Sequence, residues 1–418
     1  MEPQPAWREL LSSFPDFRHF LLGRFLVTIS VQIQTVVVGW QVYDLTGDPL
    51  SLGLIGLCEA VPHLGVALIA GYVADIFPRR SIVLFCVMGL TTCSLSLLTI
   101  ALVQPAAHIT ILLLYATIAF SGFARGFYAP AAFSWMAQMV PPHHYPTSSS
   151  LGSGTWQLAA MSGPAIGGLL YGYFDLESAY LADFLLASLA LLVFAFTGPY
   201  PVAGARRTGS VASTMLEGVR FVWKTRPVLG AISLDLFAVL FGGAVALLPV
   251  YAKDILHCGP EGLGLLRAAP AVGALAMAFV LAARPPIHRT GRKMLWSVFA
   301  FGLCMLAFGI STNFYLSLGL LLLSGAFDNV SVVVRSMTMQ MLTPDSMRGK
   351  VAAVNTIFIG ASNEIGAFES GVTARWMGTV PAVVFGAGMT LVVVVVASFL
   401  FSDLRRLDFK ESGQRDST

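Results

Sequence analysis

The chain has 418 residues, of which 56% are hydrophobic and only 11% are charged, with a formal net charge of +3. A soluble globular protein carries roughly 25% charged residues, so this chain lacks the polar side chains that cover a water-exposed surface. The composition excludes an ordinary soluble domain and predicts an integral membrane protein, because about 20 mostly apolar residues make one membrane-spanning helix. The five cysteines show neither metal-binding nor disulfide spacing.

Long apolar stretches recur from end to end and predict twelve membrane helices. The predicted spans are 18–42, 50–74, 81–103, 109–139, 150–172, 179–197, 228–252, 262–283, 294–311, 314–341, 350–374 and 380–402. Turn residues such as Thr46-Gly47-Asp48-Pro49 and Pro141-Pro142 separate them. The first stretch is longer than the apolar core of a signal peptide, so we expect an uncleaved first helix.

These spans predict an all-α membrane protein that consists of two pseudo-symmetric six-helix bundles. We expect an N-terminal bundle at 1–197, a linker at 198–227, a C-terminal bundle at 228–402 and a tail at 403–418. The second half of the linker, Thr214 to Arg226, is amphipathic and predicts a helix that lies on the membrane surface.

The distribution of basic residues predicts the orientation. With the N-terminus in the cytoplasm, most of the 25 Lys and Arg residues fall in cytoplasmic segments, whereas Lys253 and Arg375 fall on the opposite side. By the positive-inside rule, both termini, the linker and the tail are therefore expected in the cytoplasm. The predicted location is the bacterial inner membrane.

Short motifs recur in the same order in the two halves. Ser121-Gly122 recurs as Ser324-Gly325, and Gln138 to Pro142 recurs as Gln340 to Pro344, with Met and Pro at matching places. Parallel six-helix repeats are typical of transporters that bind substrate near the midplane between the halves and work by alternating access.

Two motifs are similar to signatures of a known family. Gly71 to Arg80 (GYVADIFPRR) is similar to G-x-x-x-D-R-x-G-R-R/K, with Ile76 and Pro78 as departures, and Gly163-Pro164-Ala165-Ile166-Gly167-Gly168 is similar to the antiporter motif G-P-x-x-G-G. The chain thus resembles major facilitator superfamily transporters over nearly its whole length.

Two further stretches resemble one branch of that superfamily. They are Leu234 to Pro249, and the segment from Asp328-Asn329-Val330-Ser331 through Ser362-Asn363-Glu364-Ile365-Gly366. Both resemble the enterobactin-exporter branch, which also contains drug-efflux proteins. The resemblance implies a secondary active transporter that exports a siderophore or an amphipathic drug.

Charged residues inside the predicted spans are costly and usually face the protein interior. Asp183, Arg267 and Glu369 fall near the outer ends and are expected to face water, while Arg24 and Arg335 lie toward the cytoplasmic side and could snorkel or gate. The remaining residues lie deeper; they are Glu59, Arg125, Asp235, Asp328 and Glu364.

Arg125 and Asp328 occupy matching positions in the repeat. One interpretation is that Asp328, Asp235, Glu59 and Glu364 exchange protons while Arg125 tunes them or binds substrate. The alternative is a structural ion pair between the halves. Further expected cavity residues are Gln34, Asn329, Phe237 and Tyr128.

The motif residues Gly71, Asp75, Arg79 and Arg80 imply a conformational latch. By the resemblance, Asp75 faces the N-terminal end of the eleventh helix near Arg348-Gly349 and stabilises the outward-open state. The glycines and proline of the other motif, Gly163, Pro164, Gly167 and Gly168, are expected to pack helices together.

No motif indicates enzymatic activity, a metal, a cofactor or nucleic-acid binding, and a Walker motif for ATP is absent from the sequence. The expected partners are a small-molecule substrate, protons and the lipid bilayer. Three functions remain open: a proton-coupled exporter, an importer or lipid flippase, and a sensor that does not transport. Because acidic residues outnumber arginines inside the spans, neutral or cationic substrates have equal weight with anionic ones.

Overall fold

The computed structural model of the chain describes residues 6–200, 211–284 and 286–409. Residues 201–210 of the predicted linker and 410–418 of the predicted tail lie outside these ranges. The described residues form helices joined by short connections, without a β-strand among them.

Seven α-helices precede the predicted linker among the residues that the structure describes. They are α1 (Ala6–Ser13), α2 (Pro15–Thr46), α3 (Pro49–Ile76), α4 (Arg79–Val103), α5 (Ala107–Gln138), α6 (Tyr145–Tyr173) and α7 (Leu176–Ala195). Local chemistry explains their ends. For example, α2 begins at Pro15 and is capped after Thr46 by Gly47, whose φ of 62° suits glycine. Asp175 caps α7 by accepting a hydrogen bond of 2.6 Å from the Ser178 amide.

A further nine α-helices follow in the described part of the chain. They are α8 (Val211–Lys224), α9 (Arg226–Gly242), α10 (Leu248–Val250), α11 (Gly259–Ala283), α12 (Thr290–Ile310), α13 (Phe314–Leu342), α14 (Asp345–Met377), α15 (Thr379–Leu400) and α16 (Ser402–Arg405). Counting α9 to Ile255 as one span, eleven of the described helices are long and apolar enough to cross a membrane. The remaining long helix, α6, has comparable length, but glycine and serine dilute its apolar residues.

The seventh predicted span is broken in the structure, although its sequence predicted one continuous helix. The chain leaves α9 at Gly243, makes a 3₁₀ turn at Ala244–Leu247, and continues through α10 into a π-helical turn at Tyr251–Ile255. Pro249 contributes to the break because it has no amide hydrogen to donate to the preceding turn. The break therefore begins at the consecutive glycines Gly242 and Gly243 and continues through Pro249.

The helices pack into two compact units. Unit 1 comprises Met1–Gly47, Cys58–Thr208 and Gly259–Ala268, and unit 2 comprises Asp48–Leu57, Gly209–Cys258 and Ala269–Thr418. The first turns of α3 belong to unit 2 and those of α11 to unit 1, and the predicted bundle borders stay a prediction. Small residues permit this: Gly53 packs against the α14 backbone at Gly371, and Gly264 against the α6 backbone at Gly168.

Unit 1 is built by pairing α2 with α6 and α7, and α4 with α5 and α7. Its core includes Phe20, Trp135 and Phe194, whose rings contact one another with centroids 5.7 to 6.0 Å apart. Arg80 at the start of α4 donates hydrogen bonds of 2.8 Å to the carbonyl oxygens of Ala195 and Thr197. A cation there stabilises the C-terminal end of α7.

Unit 2 repeats this scheme, with α9 paired with α14 and α15, and α12 with α13 and α15. The amphipathic helix α8 begins three residues before the predicted Thr214 and buries Val222 against α9 and α14. Its Glu217 forms an ion pair with Lys350 of α14. The hydrogen bond from Lys350, together with its charge, holds the pKa of the Glu217 carboxyl below its usual value.

Two glycines at matching positions of the two units each lie at a close helix crossing. A Cβ atom at Gly122 of α5 would collide with the backbone of Glu59 in α3, and one at Gly325 of α13 would collide with the backbone of Pro270 in α11. These are the glycines of the recurring Ser-Gly motif. The recurrence therefore has a steric origin that is the same in both units.

Candidate functional site

A cavity of about 350 Å³ lies within unit 1. Its lining residues come from α2, α3, α4, α5 and α6; they are Arg24, Val27, Thr28, Val31, Gln32, His63, Leu90, Arg125, Tyr128, Ala129, Ala132, Phe133 and Trp156. Apolar and aromatic side chains form most of the wall, and a few polar groups face the same space. This combination is typical of small-molecule binding sites.

Two residues predicted to take part in the site, Arg125 and Glu59, form an ion pair in unit 1. Gly122, almost one turn before Arg125, lets α5 approach α3 closely enough for the guanidinium to reach the carboxylate. The Arg125 side chain is 36% exposed and that of Glu59 is 17% exposed. The predicted opposition of Arg125 to Asp328 stays a prediction.

Arg24 of α2 faces the same cavity, and it has no ion pair among the residues that the structure describes. Gly152 of α6 leaves room for it, since a Cβ atom there would lie 3.3 Å from Arg24 Nη1. Tyr128 of α5 is near enough to interact electrostatically with Arg24, and its buried hydroxyl has no hydrogen-bond partner among the described residues. The structure places Arg24 on a cavity wall, and its snorkelling or gating role stays a prediction.

In unit 2, Asp235 of α9 forms an ion pair with Arg335 of α13. Both side chains are buried, with exposed fractions of 7% and 5%. Arg335 therefore does not snorkel to a surface, because its charge is balanced inside the unit. A buried pair of this kind depends on both partners, since removing one leaves the other charge without compensation.

The other residues predicted for the site are dispersed. Asp328 is half-buried on α13, with neither a hydrogen bond nor an ion pair to any described residue, and the neighbouring Asn329 has a buried Nδ2 without a partner. Phe237 is 45% exposed, Gln34 is buried but does not line the cavity of unit 1, and Glu364 on α14 lies beside Gly56.

The predicted latch motif joins α3 to α4. The side chain of Asp75 lies outside the described residues, so its role stays a prediction. Gly71 has open space around it, whereas Arg80 is held by the end of α7 as described above. The Nε atom of Arg79 is buried and has no hydrogen-bond partner in the part of the chain that the structure describes.

The second motif lies on α6 and marks close approaches. A Cβ atom at Gly163 would meet Gln32 of α2 at 2.6 Å, and one at Gly167 would meet the Ile33 Cα at 3.0 Å. Pro164 lies inside the helix and is buried. Together with Gly168 against α11, these small residues let α6 pack closely on two neighbours.

Asp183 corrects the sequence interpretation, which expected this residue to face water. In the structure Asp183 is 0% exposed, on the helix α7, which packs against α2 and α4. Ser30 donates a hydrogen bond of 2.5 Å to its Oδ1, Ser94 faces the same carboxyl, and Oδ2 has no partner. Alanines such as Ala187 allow α7 to pack tightly, so burial here follows from helix packing rather than from position along the span. Arg267 and Glu369 are half-buried.

Comparison with known proteins agrees with this architecture. The chain is 25% identical over 402 residues to the Enterobactin exporter EntS of Shigella boydii serotype 18, covering 95% of this chain and 94% of the relative. The same values hold for Enterobactin exporter EntS of Escherichia coli O1:K1 / APEC.

Among the described residues, no group of three or more His, Cys, Asp or Glu could hold a metal ion.

Solved structures share the fold. A D-xylose-proton symporter superposes with a TM-score of 0.70 at 13% identity, covering 91% of this chain and 96% of that chain. A bacterial homologue of the iron transporter ferroportin, in its inward-facing state, superposes with a TM-score of 0.69 at 16% identity, covering 94% and 99%. The predicted twelve-helix major facilitator fold is thus confirmed, and the protein is a multi-pass membrane protein whose homologues are transporters rather than enzymes.

The family assignment follows from a match along the chain. The model of the Transmembrane secretion effector family matches residues 13–417, which is nearly the whole sequence. The predicted resemblance to the enterobactin-exporter branch is confirmed by the relatives named above. The chain is a member of the Transmembrane secretion effector family of the major facilitator superfamily.

Proposed function

We propose that the protein is a secondary active transporter that exports a siderophore or another small amphipathic molecule, driven by the proton gradient. The observation that carries this proposal is the cavity of unit 1, which offers polar groups within an otherwise apolar wall. The identity to the Enterobactin exporter EntS supports export as the direction.

The proposed coupling uses carboxyl groups at depths where ionisation is costly. A proton biases the cycle only if it binds one conformational state better than the other. Asp328 is the best candidate because no described residue balances its charge, so its protonation is free to follow access to water. Asp235, Glu59 and Glu364 are further candidates, although Asp235 and Glu59 already have arginine partners.

Orientation and the latch belong to the same proposal. The distribution of Lys and Arg supports cytoplasmic termini in a bacterial inner membrane. In that orientation the motif around Asp75 lies on the cytoplasmic side, where a carboxylate at a helix N-terminus would stabilise the outward-open state.

Transport by the purified protein in proteoliposomes tests the proposal. We expect flux of at least one of three probes, a catecholate, a hydrophobic cation or a neutral amphipath, when a pH gradient is imposed, and no flux after a protonophore collapses it. Asp328→Asn is expected to abolish gradient-driven flux while binding survives, with wild-type thermal stability as the folding control.

The outcomes separate the alternative functions. Flux that persists in Asp328→Asn and after collapse of the gradient would refute proton coupling at this residue. Flux in the opposite direction, or of labelled lipid instead of the probes, would identify an importer or a flippase. A complete absence of flux would leave a sensor without transport as the remaining function.

A further inference from the structure

Two hydrogen-bond donors in the cavity of unit 1 lack acceptors. The Arg24 guanidinium, which can only donate, has no ion pair among the described residues, and the buried Tyr128 hydroxyl has no hydrogen-bond partner. Buried polar groups in native proteins nearly always have partners, so the Tyr128 hydroxyl indicates a bound molecule that supplies an acceptor, and the half-buried Arg24 guanidinium beside it can donate to the same molecule.

The charges in the cavity determine what that molecule can be. The two arginines on the wall differ, because Glu59 balances the charge of Arg125 and no described residue balances that of Arg24. One negative charge on a ligand would therefore be compensated here. A second negative charge, or a positive one, would meet no partner in this cavity and would be costly within a membrane protein.

The remaining wall determines the shape of the ligand. Val27, Val31 and Leu90 are apolar, and Phe133 and Trp156 are aromatic. The volume of about 350 Å³ lies near the lower end of the usual range for ligand sites, roughly 300–1,000 Å³. The ligand would thus be a compact molecule with an apolar body and one acidic group.

We propose that Arg24 and Tyr128 bind the carboxylate of a small organic monoanion whose aromatic or branched body fills the apolar part of this cavity. The proposal rests on the proposed function, since this monoanion would be the transported substrate. Charge-assisted hydrogen bonds from a guanidinium to a carboxylate are strong and directional. Gly152 is part of the site, because a larger residue would displace the guanidinium.

Binding to the purified full-length protein in detergent, without any gradient, tests the site separately from transport. We would titrate 2-naphthoate, its neutral amide and the cation 2-naphthylmethylammonium by calorimetry. The expected result is saturable binding of the carboxylate, at least about tenfold tighter than that of the amide or the cation, as charged hydrogen bonds provide.

Variants assign the binding to the residues. Arg24→Gln should weaken 2-naphthoate binding by about ten- to a hundredfold, Arg24→Lys should restore part of it, and Tyr128→Phe should weaken it about three- to tenfold. Gly152→Val should act like Arg24→Gln without removing a charge. The matched control is Arg220→Gln, which removes an exposed arginine on α8 and should leave binding unchanged.

Three outcomes would overturn the proposal: equal binding of the carboxylate and the cation, full binding by a folded Arg24→Gln variant, or no binding of any probe. Failure of the proposed function looks different. In that case 2-naphthoate binds and Arg24→Gln weakens binding, yet no probe crosses the membrane of proteoliposomes under a pH gradient.

Discussion

Asp235→Asn removes one charge from a buried pair and preserves the shape of the side chain. The side chain of its partner, Arg335, is only 5% exposed, and its Nε atom already lacks a hydrogen-bond partner. A guanidinium cannot lose its charge by deprotonation in a protein. The variant therefore leaves an uncompensated buried cation, which costs about 3–5 kcal/mol and lowers the ratio of folded to unfolded protein by roughly two to four powers of ten.

Two comparisons isolate this effect. Glu59→Gln makes the same chemical change, but the Arg125 side chain is 36% exposed, so water reduces the cost and we expect a clearly smaller loss. Asp235→Leu combined with Arg335→Met removes both charges and should recover most of the stability, as replacing a buried pair with apolar side chains usually does.

Thermal unfolding in detergent measures these differences. Cys86, Cys93 and Cys304 are buried free cysteines, so a thiol-reactive fluorescent dye reports their exposure as the protein unfolds. We expect the unfolding temperature to fall from wild type to Glu59→Gln and further to Asp235→Asn, and that of the double variant to lie near wild type. An Asp235→Asn midpoint equal to that of wild type, or no recovery in the double variant, would refute the reasoning.

Three further predictions concern the units. Arg80→Ala should lower the stability of the protein by about 1–2 kcal/mol, because a cation at the end of α7 is lost, whereas Arg79→Ala should change the midpoint less. Because Lys350 lowers the pKa of Glu217, the pair stabilises the folded protein above the pKa that Glu217 has in the unfolded chain, and this stability is lost as the pH falls through the pKa of Glu217 in the folded protein. Glu217→Gln should therefore flatten the acid side of the curve of stability against pH. An unchanged curve would contradict this. Asp183→Asn should unfold near the wild-type midpoint, whereas Asp183→Leu should lower the stability by about 1–3 kcal/mol by leaving a buried serine hydroxyl unsatisfied. Equal losses of stability in the two variants would show that the carboxylate charge matters.

Much of the fold followed from hydropathy, because spanning helices are specified by their own composition. The break in the seventh span could have been anticipated from Gly242, Gly243 and Pro249 together, but a window of average hydropathy does not register it. The borders of the units were not predictable in the same way. These borders depend on which neighbouring helices the first turns of each helix pack against.

The site was predicted less completely, because pairing depends on the register between helices. The total of acidic and basic residues left the sign of the substrate open. Once Arg125 is paired with Glu59, the charge that remains among the described lining residues of the cavity of unit 1 is that of Arg24. Depth along a span likewise misplaced Asp183, since side-chain burial depends on the face that a helix presents.

The crossings at Gly122 and Gly325 bear on how each unit can deform. At each crossing the backbones come together at two glycines, Gly122 and Gly126 on α5, and Gly325 on α13 with Gly273 on α11, so few side chains stand between the helices and one can roll over the other. Such a crossing acts as a pivot rather than as a clamp. Alanine at either position would push the helices apart and replace the pivot with an interlocked contact. Duplication of an ancestral six-helix unit would have given each half its own pivot, which places internal flexibility at equivalent points of both halves.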